Sequence, residues 1–206
     1  MPVPGLRGDF GLKAGTAPLP GIYLMDIFFW YSADKVVGAN GRAFERGHLD
    51  LLGDLFGFVY TTHQKIAGAY YTVMAGIGVA NSAFEVPVLG IESGWGPADF
   101  YFQPINLGWH FKQGDITLWY GLYVPSGRYV LDGLQNTGQG VWSNEYDVGT
   151  TLYFGSERRV NLSALAGYQS NSGKHGTTRK PGSTLHSRGR AGLLLQGRHG
   201  ECRCRV

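Results

Sequence analysis

The sequence predicts an all-β fold, an antiparallel transmembrane β-barrel of the outer-membrane kind, incomplete at its C-terminus. Three observations carry this. Segments of roughly ten residues alternate with a period of two, and one face of each is almost uniformly apolar. Charged residues make up only 16% of the chain, beside 33 glycines, 12 tyrosines, 11 phenylalanines and 5 tryptophans; soluble proteins carry about 25% charge. Short polar turns also alternate with long Gly-, Asn- and Ser-rich connections, as barrels do when one rim holds turns and the other holds loops.

The clearest strand pair is DFYFQPINLGWHFKQGDITLWYGLYVP, residues 99–125, turning at Lys112 to Asp115. Its second strand sets Ile116, Leu118, Tyr120, Leu122 and Val124 against Thr117, Trp119, Gly121 and Tyr123. Its first sets Tyr101, Ile105, Leu107, Trp109 and Phe111 against Asn106, Gly108 and His110.

The other elements follow in order. Residues 1–20 lack the continuous apolar run of a secretory signal and read as an irregular, Pro- and Gly-rich lead-in. Ile22 to Tyr31 is a strand apolar on both faces; with Tyr23, Met25, Ile27, Phe29 and Tyr31 outward, Asp26 and Trp30 fall inside. Ser32 to Gly47 is a long loop with a turn signal at Asn40-Gly41. Leu51 to Thr62 sets Leu51, Leu55 and Val59 against Asp54, Phe58 and Thr62, and Gln64-Lys65 is the next turn. Ile66 to Phe84 has no charge for nineteen residues, close to a membrane helix in length. Its glycines and its Tyr70-Tyr71-Thr72-Val73 run favour strands instead, with a turn at Asn81-Ser82 and a further strand to about Ile91. Ser126 to Gly140 is a loop. Val141 to Phe154 sets Tyr146, Val148, Thr150, Leu152 and Phe154 against Glu145, Asp147, Gly149, Thr151 and Tyr153. Two carboxylates on one strand face are costly in an apolar core and natural beside water. Gly155 to Arg159 turns into Val160–Gln169, which alternates again.

Charge separates the chain into parts. Residues 1–171 hold ten Lys/Arg and fourteen Asp/Glu, whereas residues 172–206 hold eight Lys/Arg and one Glu. The strands are expected over 21–171, and 172–206 is expected to be a disordered basic tail in which Arg188, Arg190 and Arg198 end the alternation. Cys202 and Cys204 are too close for an ordinary bridge and too few for zinc. The tail has no aromatic interleaving, so no nucleic-acid partner is expected.

Several stretches resemble a family of bacterial outer-membrane transporters associated with the meta-cleavage pathway of phenol degradation. They are AGTAPLPGIYL at 14–24, GPADFYFQPINLGWHF at 96–111, YGLYVPSGRY at 120–129, NTGQGVWSNEYDVGTTLYF at 136–154 and ALAGYQSNSGKHGTT at 164–178. The resemblance implies a barrel in the bacterial outer membrane that passes small hydrophobic or aromatic compounds. The family's members carry a signal peptide, missing from this sequence, and end on an aromatic residue, where this chain has Val206. The likeness is expected to stop near Gly176, as in a truncated or frameshifted product.

No enzyme constellation is present. The histidines, His48, His63, His110, His175, His186 and His199, have no metal-type spacing, and no glycine cluster matches a phosphate loop. Neither a catalytic group, nor a metal, nor a cofactor is expected. The expected lumen residues are Asp26, Trp30, Asp54, Phe58, His110, Trp119, Tyr123, Glu145, Asp147 and Tyr153, rings and polar groups suited to a small apolar or aromatic solute. The expected partners are that solute and outer-membrane lipid. The alternatives are a soluble all-β small-molecule-binding module and a structural outer-membrane barrel that transports nothing.

Overall fold

The computed structural model describes residues 13–34, 48–86, 89–92, 94–131, 135–155 and 160–193. Their strands, in chain order, are β1 (Gly21–Ala33), β2 (His48–Ile66), β3 (Ala69–Val86), β4 (Leu89–Glu92), β5 (Gly96–Pro97), β6 (Phe100–His110), β7 (Gly114–Val124), β8 (Ser143–Phe154), β9 (Val160–Asn171) and β10 (Thr184–Leu193). All pairings are antiparallel, and the sheet runs β1-β2-β3-β6-β7-β8-β9-β10, with β4 and β5 against β3. It is a meander in which each long strand lies beside its sequence neighbour, the topology of an incomplete all-β barrel.

The alternation sorts side chains onto two faces. Ile116, Leu118, Tyr146, Val148, Leu152, Val160, Leu162 and Tyr168 stand exposed on one, while Thr117, Trp119, Asp147, Thr151, Asn161, Ser163 and Gln169 are buried on the other. Such an inverted arrangement, greasy outside and polar within, suits a sheet with lipid behind it.

The β2–β3 and β6–β7 turns, at one rim, are short. The β2–β3 connection is Ala67-Gly68, both at positive φ (49° and 82°), the geometry of a two-residue hairpin turn. The expected turn at Gln64-Lys65 instead lies within β2, where the register slips between Thr61 and Lys65. The expected turn at Asn81-Ser82 is also absent: β3 runs through it, pairing Asn81 with Leu52 and Ser82 with Leu51. An Asn-Ser pair signals a turn only when no ladder continues past it, and here β2 is long enough to hold both residues.

The partner of β3 is divided among β4, β5 and β6, which pair successively toward its start. Within β6 a bulge sits at Pro104, where the registers with both neighbours slip. Proline cannot donate to the ladder, and a bulge removes that demand. The slip reverses parity, so Tyr101, expected outward, is buried inside at 6% exposure.

The tail departs most from expectation. Residues 184–193 form β10, paired along their length with β9. Thr184, His186, Arg188, Arg190 and Gly192 share the parity facing inward, opposite Gln169, Gly167, Leu165, Ser163 and Asn161. Leu185, Ser187, Gly189 and Ala191 face out. Arg188 and Arg190, expected to end the alternation, occupy the inward side of it. Arg198, Cys202, Cys204 and the Asn40-Gly41 turn lie outside the described residues.

Candidate functional site

The inner face has three zones. Nearest the short-turn rim is a polar belt built on β6 to β9. Asp115, 3% exposed, accepts hydrogen bonds from Tyr153 Oη (2.6 Å) and Thr16 Oγ1 (2.9 Å) and lies 3.0 Å from His110 Nδ1. Thr117 donates to Asn106 (3.0 Å), and Thr151 and Ser163 share a bond of 3.0 Å. Each pair bridges adjacent strands, so the belt closes laterally rather than waiting for solvent.

The lead-in lies on this belt. Gly15 N donates to Thr151 Oγ1 (3.2 Å) across 136 residues of chain. A Cβ on Gly108 would overlap Ala17, and one on Gly149 would sit 2.9 Å from the Ala14 carbonyl. These two glycines leave a channel deep enough for backbone to lie against sheet. AGTA therefore follows the inner wall before the chain enters β1.

The middle zone is apolar. Met74, Tyr101 and Tyr123 form a buried cluster with Met25 and Val59 packed on it, and the two tyrosine rings stand 4.7 Å apart, tilted. Trp119 is buried on the same face. Beside it, with Asp147 opposite Trp119 and Glu145 opposite Gly121, β8 and β10 bring Glu145, Asp147 and His186 together; His186 Nε2 lies 3.0 Å from Asp147 Oδ1, and Tyr101 Oη donates to Glu145 Oε2 at 3.4 Å.

The long-loop rim is tied by Asp99. Its Oδ1 accepts from Gly127 N (3.0 Å) and its Oδ2 from Gln139 N (2.9 Å). Burial holds this carboxyl above its ordinary pKa, and the two backbone donors oppose that shift. Arg128 donates to the carbonyls of Gln135 and Gly94, locking the loop after β7 to the segment after β4.

Of the ten expected lumen residues, His110, Trp119, Tyr123, Glu145, Asp147 and Tyr153 lie on the inner face. Asp26, Trp30, Asp54 and Phe58 do not. Trp30 is 70% and Phe58 46% exposed, on the side opposite Met25 and Val59. Both faces of β1 and β2 are apolar, so alternation alone gives no direction there. Glycine spacing does: a Cβ on Gly53 would strike the Phe29 ring, and one on Gly57 would meet Met25 Cε at 2.7 Å. Small residues of β2 thus receive large ones of β1 on the inner side, and Asp26 and Asp54 are left outside, within hydrogen-bond reach of each other. Asp115, His186 and the lead-in carry no signal of their own in the sequence, because the partners that define them are remote along the chain.

The family whose description reads "Putative MetA-pathway of phenol degradation" matches residues 33–197, a span that includes β10. Among solved structures, the crystal structure of an outer membrane channel from Pseudomonas putida F1 is similar, with a TM-score of 0.69 at 12% identity, over 86% of this chain and 67% of that one. Identity so low carries the fold alone. No curated protein matches the chain.

Proposed function

The chain is a member of that phenol-degradation family, and from this premise we propose that it is an outer-membrane barrel for the passage of small hydrophobic or aromatic compounds toward catabolism. The observation that carries the reading is the apolar middle zone, where Met25, Val59, Met74, Tyr101 and Tyr123 pack together on the inner face. Thioethers and tilted rings accommodate flat apolar solutes of varied shape, because sulfur is polarisable and ring edges are adaptable. The belt beside it is closed by its own hydrogen bonds, so the middle zone is the part of this wall that prefers an apolar guest. The barrel handles its solute without bond chemistry and is not an enzyme of the pathway.

Uptake of radiolabelled phenol, toluene and octanol by cells making the full chain should exceed that of cells without it. Tyr123→Ala should lower the aromatic uptake several-fold while leaving insertion intact. Unchanged uptake across the panel, with the barrel shown to be inserted, rejects the reading. A second reading, a structural barrel that transports nothing, is favoured by the lead-in held against the inner wall by Thr151 and Asp115. It predicts equal uptake with and without the protein.

A further inference from the structure

We propose that Glu145, Asp147 and His186 form a binding site for a divalent transition-metal ion on the inner wall, joining β8 to β10 across β9. One ligand atom from each lies within 4.8 Å of the others. Two carboxylates two residues apart on β8 point to the same side, and the pairing of β9 with both neighbours brings His186 level with them: Asp147 opposes Gly167, and Gly167 opposes His186.

Two further observations point to a ligand. Asp147 is 2% exposed, and its Oδ2 has no hydrogen-bond partner among the described residues. A carboxylate oxygen buried without a hydrogen bond is costly, and a coordinated cation would satisfy it. Gly167 supplies the second: a Cβ there would overlap both Asp147 Oδ1 and the His186 ring, so the space in which these groups meet exists only because position 167 has no side chain. Tyr101 Oη, donating to Glu145 Oε2 at 3.4 Å, orients the third group, as outer hydrogen bonds do for metal ligands.

The donor set names the class of ion. Imidazole with two carboxylates suits zinc, manganese or ferrous iron, whereas calcium and magnesium take oxygen alone. The 3.0 Å between His186 Nε2 and Asp147 Oδ1 is close to the roughly 3.0 Å edge between adjacent ligands of an octahedral ion bonded at about 2.1 Å, and shorter than the roughly 3.4 Å edge of a tetrahedral one. Three protein ligands leave coordination positions open to water or to an anionic oxygen from the lumen. Arg188, on the same face of β10, acts electrostatically on both carboxylates and opposes a cation.

The test uses the full chain folded in detergent and zinc chloride alone, with binding followed by calorimetry and cobalt substitution followed by its visible absorption. One zinc per chain is expected, with affinity lowered at least tenfold in both Asp147→Asn and His186→Ala and unchanged in His63→Ala. Each variant is first checked for heat-modifiable gel migration, so that loss of the fold is not read as loss of the site. Arg188→Ala adds a gain, since removing that positive charge should tighten zinc several-fold, an effect that misfolding does not produce. No saturable zinc binding by the folded chain overturns the site, and so does binding that Asp147→Asn and His186→Ala leave unweakened.

Discussion

Asp99 shows what a single residue does at the rim. Two backbone N–H groups from a loop end on its two oxygens, and Asp99→Ala leaves both half-buried donors without this partner. The cost should be about 1–3 kcal/mol, seen as faster amide exchange over residues 126–140. The pH dependence has a definite sign. Because burial raises the folded pKa, the folded state binds the proton more readily than the unfolded chain does. The contribution of Asp99 to stability is complete below the ordinary carboxyl range and is lost as pH rises through the folded pKa. Protection of residues 126–140, corrected for intrinsic exchange, should therefore be greater at acid pH than at neutral pH in the parent chain, and this difference should vanish in Asp99→Asn. A loop that loosens on acidification contradicts this.

At the scale of the element, β7 is the most direct test of which face meets lipid. Leu118 is 45% exposed, and Thr117, its neighbour, is 2% exposed. Arginine at Leu118 should cost about 2–4 kcal/mol if it lies near the midplane, and arginine at Thr117 should cost less because the inner wall is polar. Folding titrations in lipid vesicles measure both, and equal costs reject the assignment of faces. The same logic explains β10. Arg188 and Arg190 contradicted a strand so long as charge was counted along the chain alone, but on the inward parity they meet Leu165 and Ser163 of β9 on the wet side. β6 teaches the converse: its faces after Pro104 were legible, whereas the bulge was not, and so Tyr101 before it was expected on the wrong side.

For the whole molecule, the lead-in is the feature that joins remote parts. Residues 14–17 touch β6, β7 and β8 before the chain enters β1 at the other end of the sheet. Replacing either glycine beneath them should release the segment. Gly108→Val and Gly149→Val are expected to raise protease cleavage within residues 13–20 by at least several-fold, with the heat-modifiable migration of the barrel retained. Cleavage that stays at the parent level in both variants contradicts the docking. Among the described residues the sheet begins at β1 and ends at β10 without a pairing between them. Backbone groups at such edges need partners wherever lipid surrounds them.

The sequence by itself determined the all-β class and the two faces of β7, β8 and β9. These are local properties: period two needs only that one side of a strand be greasy and the other not. Six of the ten expected inner residues were legible for the same reason. Tertiary structure alone decided the direction of β1 and β2, because both of their faces are apolar and only the fit of Phe29 and Met25 over Gly53 and Gly57 distinguishes them. It alone gave β10 a place, since a strand carrying arginine is stable only where another strand holds its backbone and water receives its charge. And it alone brought Asp147 to His186, separated by 39 residues, because strand register is a relation between segments and no single segment contains it.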